Sequence, residues 1–266
     1  MPCIGLSGVR IHVRVQSARA VDAPTVVLLH GLGSSSADWT PQLAAFSRRF
    51  KVLAVDLPGH GRSTRGRGPF RVPRLARDVS QALDTLGAPA VHVVGLSLGG
   101  CVGLELALRE PARVRSLTLV NAFAKLTPSG ARGVARMLHR LALACVAPMP
   151  VLAGHVARGL FPRPEQRELY RAAVASLGAG SRRTYLASLR ALATFDARTR
   201  LSSIRCPTLV VVGEGDATVP RAAGERLAHA IPGARLVVIP ASGHATPHDQ
   251  PDRFNTVVME FLSRLG

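Results

Sequence analysis

The hexapeptide Gly95-Leu96-Ser97-Leu98-Gly99-Gly100 constrains the fold of this chain more than any other stretch. Its first five residues form the pattern G-x-S-x-G. The mostly β-branched run 90–94 precedes it and predicts a strand that is buried on both faces. Residues 101–109 follow with a wide apolar face and predict a helix. A strand, a tight glycine turn and a helix are the setting of a nucleophile elbow, which would present the Ser97 hydroxyl at the edge of a sheet.

Apolar strands and amphipathic helices alternate on both sides of this turn. The predicted strands are 9–16, 25–29, 51–55, 90–94, 115–120, 208–213 and 235–239. The predicted helices between and after them are 37–50, 72–87, 101–109, 220–231 and 251–264. This alternation predicts an α/β fold with a doubly wound, mainly parallel sheet. In such sheets a ligand site lies at the carboxyl ends of the strands.

Residues 124–199 interrupt the alternation and are called the insertion below. They show no strand pattern but four helical stretches, near 130–146, 150–160, 164–178 and 180–195. We therefore predict two domains. Residues 1–123 and 200–266 form the core, and the insertion forms a helical cap, or lid, over the strand ends.

Ser97 needs a base within hydrogen-bond reach, and the base needs an acid that fixes its tautomer. Both are expected on loops that leave the carboxyl ends of strands. His244 follows the last predicted strand, and Asp216 follows the strand before it. The chain order Ser97, Asp216, His244 is the order that accompanies this elbow. The rival candidates are His248 and His60 for the base, and Asp56 and Glu214 for the acid.

Acyl transfer also requires donors to the oxyanion. The backbone N–H of Leu98, directly after the nucleophile, is one candidate, and the N–H of Leu32 in the His30-Gly31-Leu32-Gly33 loop is the other. We interpret His30 as a structural residue that supports this loop. The apolar residues predicted to line the substrate pocket are Phe123, Leu138, Leu141, Phe161 and Val219.

The chain is strongly basic, with a net charge of +18 from 34 basic and 16 acidic residues. Only two of the basic residues are lysines, which favours an arginine-rich coding composition as the source of the charge. Residues 124–200, which are the insertion and the next residue, carry thirteen basic and three acidic residues, however, so a field that attracts anionic substrates is the second interpretation. Aromatic residues make up only 4% of the chain, which argues against nucleic-acid binding by base stacking.

No stretch of the sequence is typical of a membrane span or a signal peptide. The longest apolar run, 141–154, is too short to span a bilayer and contains two prolines. The four cysteines lie far apart, without the spacing of a metal site. We expect a cytoplasmic protein with no membrane partner, no metal and no organic cofactor. The oligomeric state is not readable from the sequence.

Taken together, the motifs resemble the α/β-hydrolase fold superfamily over nearly the whole chain. The matching segments are His30-Gly31-Leu32-Gly33, Asp38-Trp39, Asp56-Leu57-Pro58-Gly59-His60-Gly61-Arg62-Ser63, the Ser97 hexapeptide, Gly213-Glu214-Gly215-Asp216 and Gly243-His244. The resemblance implies a mostly parallel, doubly wound sheet of about eight strands, with a helical cap inserted after the sixth. It also implies a catalytic triad of Ser97, Asp216 and His244.

The residues at the elbow reduce the number of reaction classes that this chain could catalyse. Epoxide hydrolases and haloalkane dehalogenases of this superfamily use an aspartate where this chain has Ser97. Carbon–carbon bond hydrolases usually carry asparagine where this chain has Leu96. The elbow and the cap are similar to those of carboxylesterases and 3-oxoadipate enol-lactonases. We therefore expect hydrolysis of a small-molecule carboxylic ester or lactone. If the positive field of the insertion attracts the substrate, we expect that substrate to be anionic. A carbon–carbon bond hydrolase, a perhydrolase-type enzyme that forms peroxides and a non-catalytic ligand receptor are the alternatives.

Overall fold

The computed structural model describes residues 3–6, 8–20, 22–128 and 130–265, and eight strands in it form one sheet. The strands are β1 (Cys3–Leu6), β2 (Val9–Gln16), β3 (Thr25–Leu29), β4 (Lys51–Val55), β5 (Val91–Leu96), β6 (Val114–Val120), β7 (Thr208–Gly213) and β8 (Arg235–Ile239). Their order across the sheet is β1-β2-β4-β3-β5-β6-β7-β8. The pairs β1–β2 and β2–β4 are antiparallel, and all other neighbours are parallel. The predicted α/β fold, with a mostly parallel sheet, is confirmed.

Helices cover both faces of the sheet. They are α1 (Thr40–Phe46), α2 (Val72–Thr85), α3 (Leu98–Arg109), α4 (Gly130–Val146), α5 (Met149–Leu160), α6 (Arg167–Gly178), α7 (Arg182–Ala193), α8 (Arg221–Ala230), α9 (Thr246–Asp249) and α10 (Pro251–Ser263). Side chains of α1 and α10 share one apolar core with the sheet. Side chains of α2, α3 and α8 share the other.

Strand β3 shows why the central strands are apolar at every position. Val27 and Leu29 pack into the core on the α2 and α3 side, whereas Val26 and Leu28 pack into the core on the α1 and α10 side. All four side chains are fully buried. Because successive side chains of a strand point to opposite faces, a strand covered on both faces needs an unbroken apolar run.

The insertion leaves and re-enters the core at one place, between β6 and β7. Lys125 and Asp196 form an isolated antiparallel bridge and an ion pair, with 3.3 Å between Nζ and Oδ2. Beside them the N–H of Ala197 donates to the carbonyl of Ala124 at 2.9 Å. Helices α4–α7 lie between these ends and share a small apolar cluster of their own. The division into core and cap domains stays a prediction.

Three local features differ from the sequence-based expectations. Strand β1 was not expected, because its four residues include a glycine and only Ile4 is buried. The predicted helix 37–50 is a 3₁₀ turn at Ser36–Trp39 followed by α1, in which Pro41 occupies the first turn. The short helix α9, which carries the rival base His248, was missed as well.

Packing at the turn between β5 and α3 leads to a first prediction. A Cβ atom at position 99 would overlap the backbone carbonyl of Leu29, whereas one at Gly159 in α5 would meet no atom within 4 Å. We expect Gly99→Ala to lower the free energy of unfolding by about 3 kcal/mol, the upper range for overpacking. Gly159→Ala, the matched control, should raise it by about 0.5–1 kcal/mol, because alanine favours a helix. Chemical denaturation measures both, and equal effects would contradict the close approach.

Candidate active site

Ser97 occupies the turn between β5 and α3 in a strained backbone conformation. Its φ is 51° and its ψ is −109°, a region that residues other than glycine rarely adopt. The N–H of Ser97 donates to the carbonyl of Val120 on the neighbouring strand β6 at 2.9 Å, which fixes the turn against the sheet. The residue is 7% exposed. Helix α3 begins directly after it, so the positive end of the helix dipole lies beside the hydroxyl.

Asp216 and His244 form a hydrogen-bonded pair. The distance between Asp216 Oδ2 and His244 Nδ1 is 2.7 Å. The other carboxylate oxygen, Oδ1, accepts the N–H groups of Thr218 at 2.7 Å and Val219 at 2.9 Å. The carboxylate is therefore held on both oxygens, and its side chain is fully buried. Because a carboxylate only accepts, Nδ1 carries the proton and Nε2 is free to accept one.

The sheet order brings these residues to one edge. Strands β5, β6, β7 and β8 are consecutive and parallel, so their carboxyl ends lie side by side. Ser97 follows β5, Asp216 lies in the loop after β7, and His244 lies in the loop after β8. Within the described residues no hydrogen bond joins the Ser97 hydroxyl to His244. The structure thus places all three predicted residues at one edge of the sheet and shows the acid–histidine bond directly.

Asn121, at the end of β6, is a functional candidate that the sequence analysis did not identify. Its side-chain Nδ2 donates to the carbonyl of His244 and to the hydroxyl of Thr246, both at 2.8 Å. Its Oδ1 accepts the N–H of Gly213, the last residue of β7, at 2.8 Å. The amide is buried and its backbone has a φ of 45°. One side chain therefore ties the His244 loop to the strand that leads to Asp216.

A second group of polar side chains closes the His244 loop. Ser242 Oγ donates to Asp249 Oδ1 at 2.8 Å and lies 2.9 Å from the hydroxyl oxygen of Thr246. The N–H of Gly243 donates to Asp249 Oδ2 at 2.6 Å. Asp249 belongs to α9, so this short helix braces the loop from its outer side. Ser242 and Asp249 are polar residues close to His244 in the sequence, but their contact depends on helix α9, which was not predicted.

His30 has the structural role that was predicted for it. Its Nδ1 donates to the carbonyl of Gly31 at 2.7 Å, and its Nε2 accepts the N–H of Leu57 at 3.0 Å. Burial lowers the pKa of His30 below its ordinary value, which keeps the ring neutral, as this pair of bonds requires. The ring therefore joins the loop after β3 to the loop after β4 and holds Leu32 beside the strand ends.

The rivals His60 and Asp56 make contacts of their own, and so does the buried His92. His92 lies inside β5 and bonds to Ser116 Oγ at 2.8 Å. His60 bonds to the carbonyl of Pro58 at 3.1 Å. Asp56 pairs with His12 at 2.8 Å, and it accepts N–H groups that hold its pKa below the ordinary value although burial raises it. These groups stabilise the core and its loops.

The predicted lining residues divide into two sets. Phe123, Phe161 and Val219 are buried, at 3%, 7% and 4% exposure. Leu138 and Leu141 lie on α4 and are 55% and 44% exposed, so the structure does not place them in a closed pocket. Leu98 is fully buried at the start of α3, and Leu32 is half-buried, packing against both the core and the insertion. The roles of Leu32 and Leu98 as oxyanion donors stay predictions.

A cavity of about 720 Å³ opens between the core loops and the insertion. The loop 33–37, residues 59–62 and the segment 176–185 contribute to its wall. None of Ser97, Asp216 and His244 lines it, so it lies beside the candidate site and not over it. Its wall includes Gly33, one residue from the predicted oxyanion donor Leu32.

The described ranges contain no cluster of three or more metal-ligating side chains. No helix among them is both long and apolar enough to cross a bilayer.

Comparisons with known proteins agree with this fold. Residues 24–251 match the family model described as the alpha/beta hydrolase fold. A relative from Variovorax paradoxus, named "Putative carbamate hydrolase RutD", is 39% identical over 92% of this chain and 94% of its own length. A relative of the same name from Azorhizobium caulinodans is 34% identical over 90% of this chain and 91% of its own length.

Solved structures give the same result. The enol-lactonase from Burkholderia xenovorans superposes with a TM-score of 0.90 at 30% identity, covering 98% of this chain and all of that one. A hydrolase from Pseudomonas aeruginosa superposes with a TM-score of 0.88 at 33% identity, covering 98% of this chain and 97% of that one. The chain belongs to the α/β-hydrolase fold family and is a hydrolase.

Asn121 can be tested by removing its side chain. Asn121→Gly keeps the left-handed backbone accessible but leaves three buried polar partners without their bonds. We expect the free energy of unfolding to fall by about 2–3 kcal/mol, and kcat to fall at least about tenfold as the loops that carry Asp216 and His244 lose their common anchor. The control is Asn255→Ala on α10, which loses one bond to Gln42. Wild-type kcat in a folded Asn121→Gly variant would contradict the anchoring role.

Two buried histidines predict a loss of stability in mild acid. Burial lowers the pKa of His92 to about 4 and that of His60 to about 3, with His30 adding to the shift of His60. The unfolded chain therefore binds more protons below about pH 6.5, so stability falls as the pH drops from about 6.5 towards 4. Each histidine contributes up to about 1.4 kcal/mol per pH unit.

Denaturant titrations at pH 7.5, 5.5 and 4.5 measure this loss. His92→Gln should flatten the pH dependence, and His229→Gln, which changes an exposed residue of α8, should leave it as in the wild type. An unchanged slope in His92→Gln would show that other groups cause the acid sensitivity.

Proposed function

We propose that this chain is a serine hydrolase that cleaves small carboxylic esters or lactones through an acyl-enzyme on Ser97. One observation carries the proposal: a strained serine at the β5–α3 turn lies at the same edge of the sheet as the Asp216–His244 pair, which is bonded at 2.7 Å. A nucleophile, a base and an acid at one edge of a parallel sheet are the parts that acyl transfer requires.

The reaction begins when Ser97 Oγ attacks the acyl carbon and its proton passes to His244 Nε2. The carbonyl oxygen becomes an oxyanion, which accepts hydrogen bonds from the backbone N–H groups of Leu32 and Leu98. The bond to the leaving oxygen then breaks, and that oxygen takes the proton from His244. Water gives a proton to His244 and adds to the acyl carbon. The bond to Ser97 Oγ breaks, and Ser97 regains the proton.

The environment of each group fits its step. The imidazolium that forms on His244 is stabilised by the buried carboxylate of Asp216, whose position is fixed by two backbone N–H groups. The start of α3 favours the negative charge that develops beside Ser97. The bond between Ser97 and His244 forms when substrate binds, as catalytic hydrogen bonds often tighten only in the substrate complex.

The enol-lactonase superposition supports an ester or lactone as substrate, because the two chains align over nearly their whole lengths. Phe123, Phe161 and Val219 supply a buried apolar surface for the acyl or alcohol group. The basic insertion favours a substrate that carries a carboxylate, which its field would attract.

Carbamate hydrolysis is the second candidate. The relatives named as carbamate hydrolases align over about nine-tenths of this chain at 34–39% identity. The same triad can perform this reaction, because a carbamate carbonyl takes the place of the ester carbonyl and the intermediate is a carbamoyl-enzyme. The two substrates differ only in the group attached to the carbonyl carbon.

Replacing the nucleophile tests the proposed chemistry. Hydrolysis of p-nitrophenyl acetate, butyrate and octanoate is compared between the wild type and Ser97→Ala. We expect kcat to fall by about 10⁴-fold or more, as for other triad nucleophiles. Ser202→Ala, which changes an exposed serine of a 3₁₀ turn, is the matched control and should keep wild-type kcat. Equal turnover by wild type and Ser97→Ala would overturn the site assignment.

A matched pair of substrates separates the two candidates. p-Nitrophenyl acetate and p-nitrophenyl carbamate share a leaving group and differ by a methyl or an amino group on the carbonyl carbon. A higher kcat/KM for the acetate supports the esterase, and a higher value for the carbamate supports the second candidate. No turnover of either by the wild type would contradict both.

A further inference from the structure

Helix α4 presents an unusual surface for a helix within a folded chain. Of its seventeen residues only Ala144 is buried. Val134, Met137, Leu138 and Leu141 are 41%, 41%, 55% and 44% exposed. Their spacing of i, i+3, i+4 and i+7 places them along one side of the helix, and they are called the α4 stripe below. Contiguous exposed apolar groups of this kind mark an interaction surface.

The C-terminal half of α4 attaches the helix to the rest of the insertion. Arg140 Nε donates to the hydroxyl of Tyr185 on α7 at 2.6 Å, and its guanidinium lies 5.4 Å from the centre of that ring. Ala144, one turn further on, is buried in the small cluster of the insertion. These anchors lie in the last turns of the helix, and the four residues of the α4 stripe remain at least 41% exposed.

The charge around the α4 stripe is positive throughout. Helices α4 and α5 contain no aspartate or glutamate, and Arg132, Arg136 and Arg158 on them are exposed. The three acidic residues of the insertion are paired elsewhere: Glu165 with Arg163, Glu168 with Arg171, and Asp196 with both Lys125 and Arg198. The positive charge on the polar side of α4 is therefore not compensated by neighbouring carboxylates.

The exposed apolar stripe and the uncompensated positive charge together indicate which kind of partner α4 would bind. A second copy of the chain would bring two surfaces of a protein with net charge +18 together, without acidic groups to pair the arginines. An anionic lipid surface offers an apolar layer for the stripe and phosphates for the arginines. Basic amphipathic helices that lie flat in the headgroup region have this composition. Their arginines extend along apolar surface and keep the guanidinium among the headgroups.

We propose that α4 docks the protein on an anionic lipid surface. The α4 stripe enters the headgroup layer, and Arg132 and Arg136 bind lipid phosphates. The docking is peripheral and needs no membrane span, and it departs from the expectation of no membrane partner that was drawn from the sequence. It does not depend on the proposed hydrolase reaction, and its test uses binding as the readout.

Co-sedimentation of the full chain with vesicles tests the proposal. We expect binding to vesicles of equal parts phosphatidylglycerol and phosphatidylcholine, a decrease as salt is raised, and little binding to phosphatidylcholine alone. Val134→Gln with Met137→Gln removes two apolar groups of the stripe and retains good helix formers. It should weaken binding at least about tenfold, whereas Val15→Gln, at an exposed valine of β2, should not.

The arginines are tested in the same assay. Arg132→Gln with Arg136→Gln should weaken binding about tenfold or more, as expected for two headgroup contacts. Arg226→Gln with Arg253→Gln removes the same charge from exposed positions of α8 and α10 and should have a small effect. Equal losses in the two double variants would overturn the proposal, because binding would then follow net charge alone.

Further outcomes would also overturn it. One is the absence of binding to phosphatidylglycerol vesicles by folded wild type. Another is a concentration-dependent dimer that Val134→Gln with Met137→Gln abolishes, since a second copy would then be the partner. A third is equally tight binding of soluble polyglutamate, unaffected by the stripe substitutions, which would identify an acidic polypeptide. Thermal unfolding and turnover of p-nitrophenyl acetate verify that each variant is folded.

Discussion

The close approach of the backbone at the β5–α3 turn is the constraint on which the site depends. A Cβ at Gly95 would overlap the carbonyl group of Gly99, and a Cβ at Gly99 would overlap that of Leu29. The turn therefore brings strand β5, the start of α3 and the end of β3 into direct backbone contact. Ser97 can keep its left-handed conformation because the neighbouring segments leave it no room to relax. The position of Ser97 is thus determined by the close backbone packing that Gly95 and Gly99 permit.

The other half of the site depends on polar bonds across strand ends. The loops after β7 and β8 have few apolar side chains to fix them, and buried hydrogen bonds replace that packing. Asn121 joins the end of β7 to the His244 loop, and Ser242 and Asp249 close the same loop from outside. Buried donors and acceptors cost free energy when they are unpaired, so such a network stabilises one loop geometry over similar geometries in which a bond is lost. The orientation of His244 follows from this network together with Asp216.

Much of this arrangement was predictable from the sequence, for physical reasons. The apolar runs of the central strands follow from burial on both faces, and the Gly-x-Ser-x-Gly pattern follows from the backbone contacts at the turn. Asp216 and His244 could be placed because parallel strands bring their carboxyl ends to one edge. Asn121 could not be recognised, because its role depends on the order of strands across the sheet and on a short helix without a sequence signal. The exposure of Leu138 and Leu141 was not predictable either. An amphipathic pattern shows that a helix has an apolar side, and it does not show whether that side meets protein or solvent.

The two ends of the insertion meet at the bridge between Lys125 and Asp196, with the bond from Ala197 to Ala124 beside it. A segment that enters and leaves through one point can change in length or helix order while the strand ends keep their spacing. Under the proposed function, mutation can therefore remodel the insertion without altering the reacting groups at the strand ends. In evolutionary terms, the proposed catalytic edge and the insertion are separable modules, so that substrate choice can change while the reaction is kept.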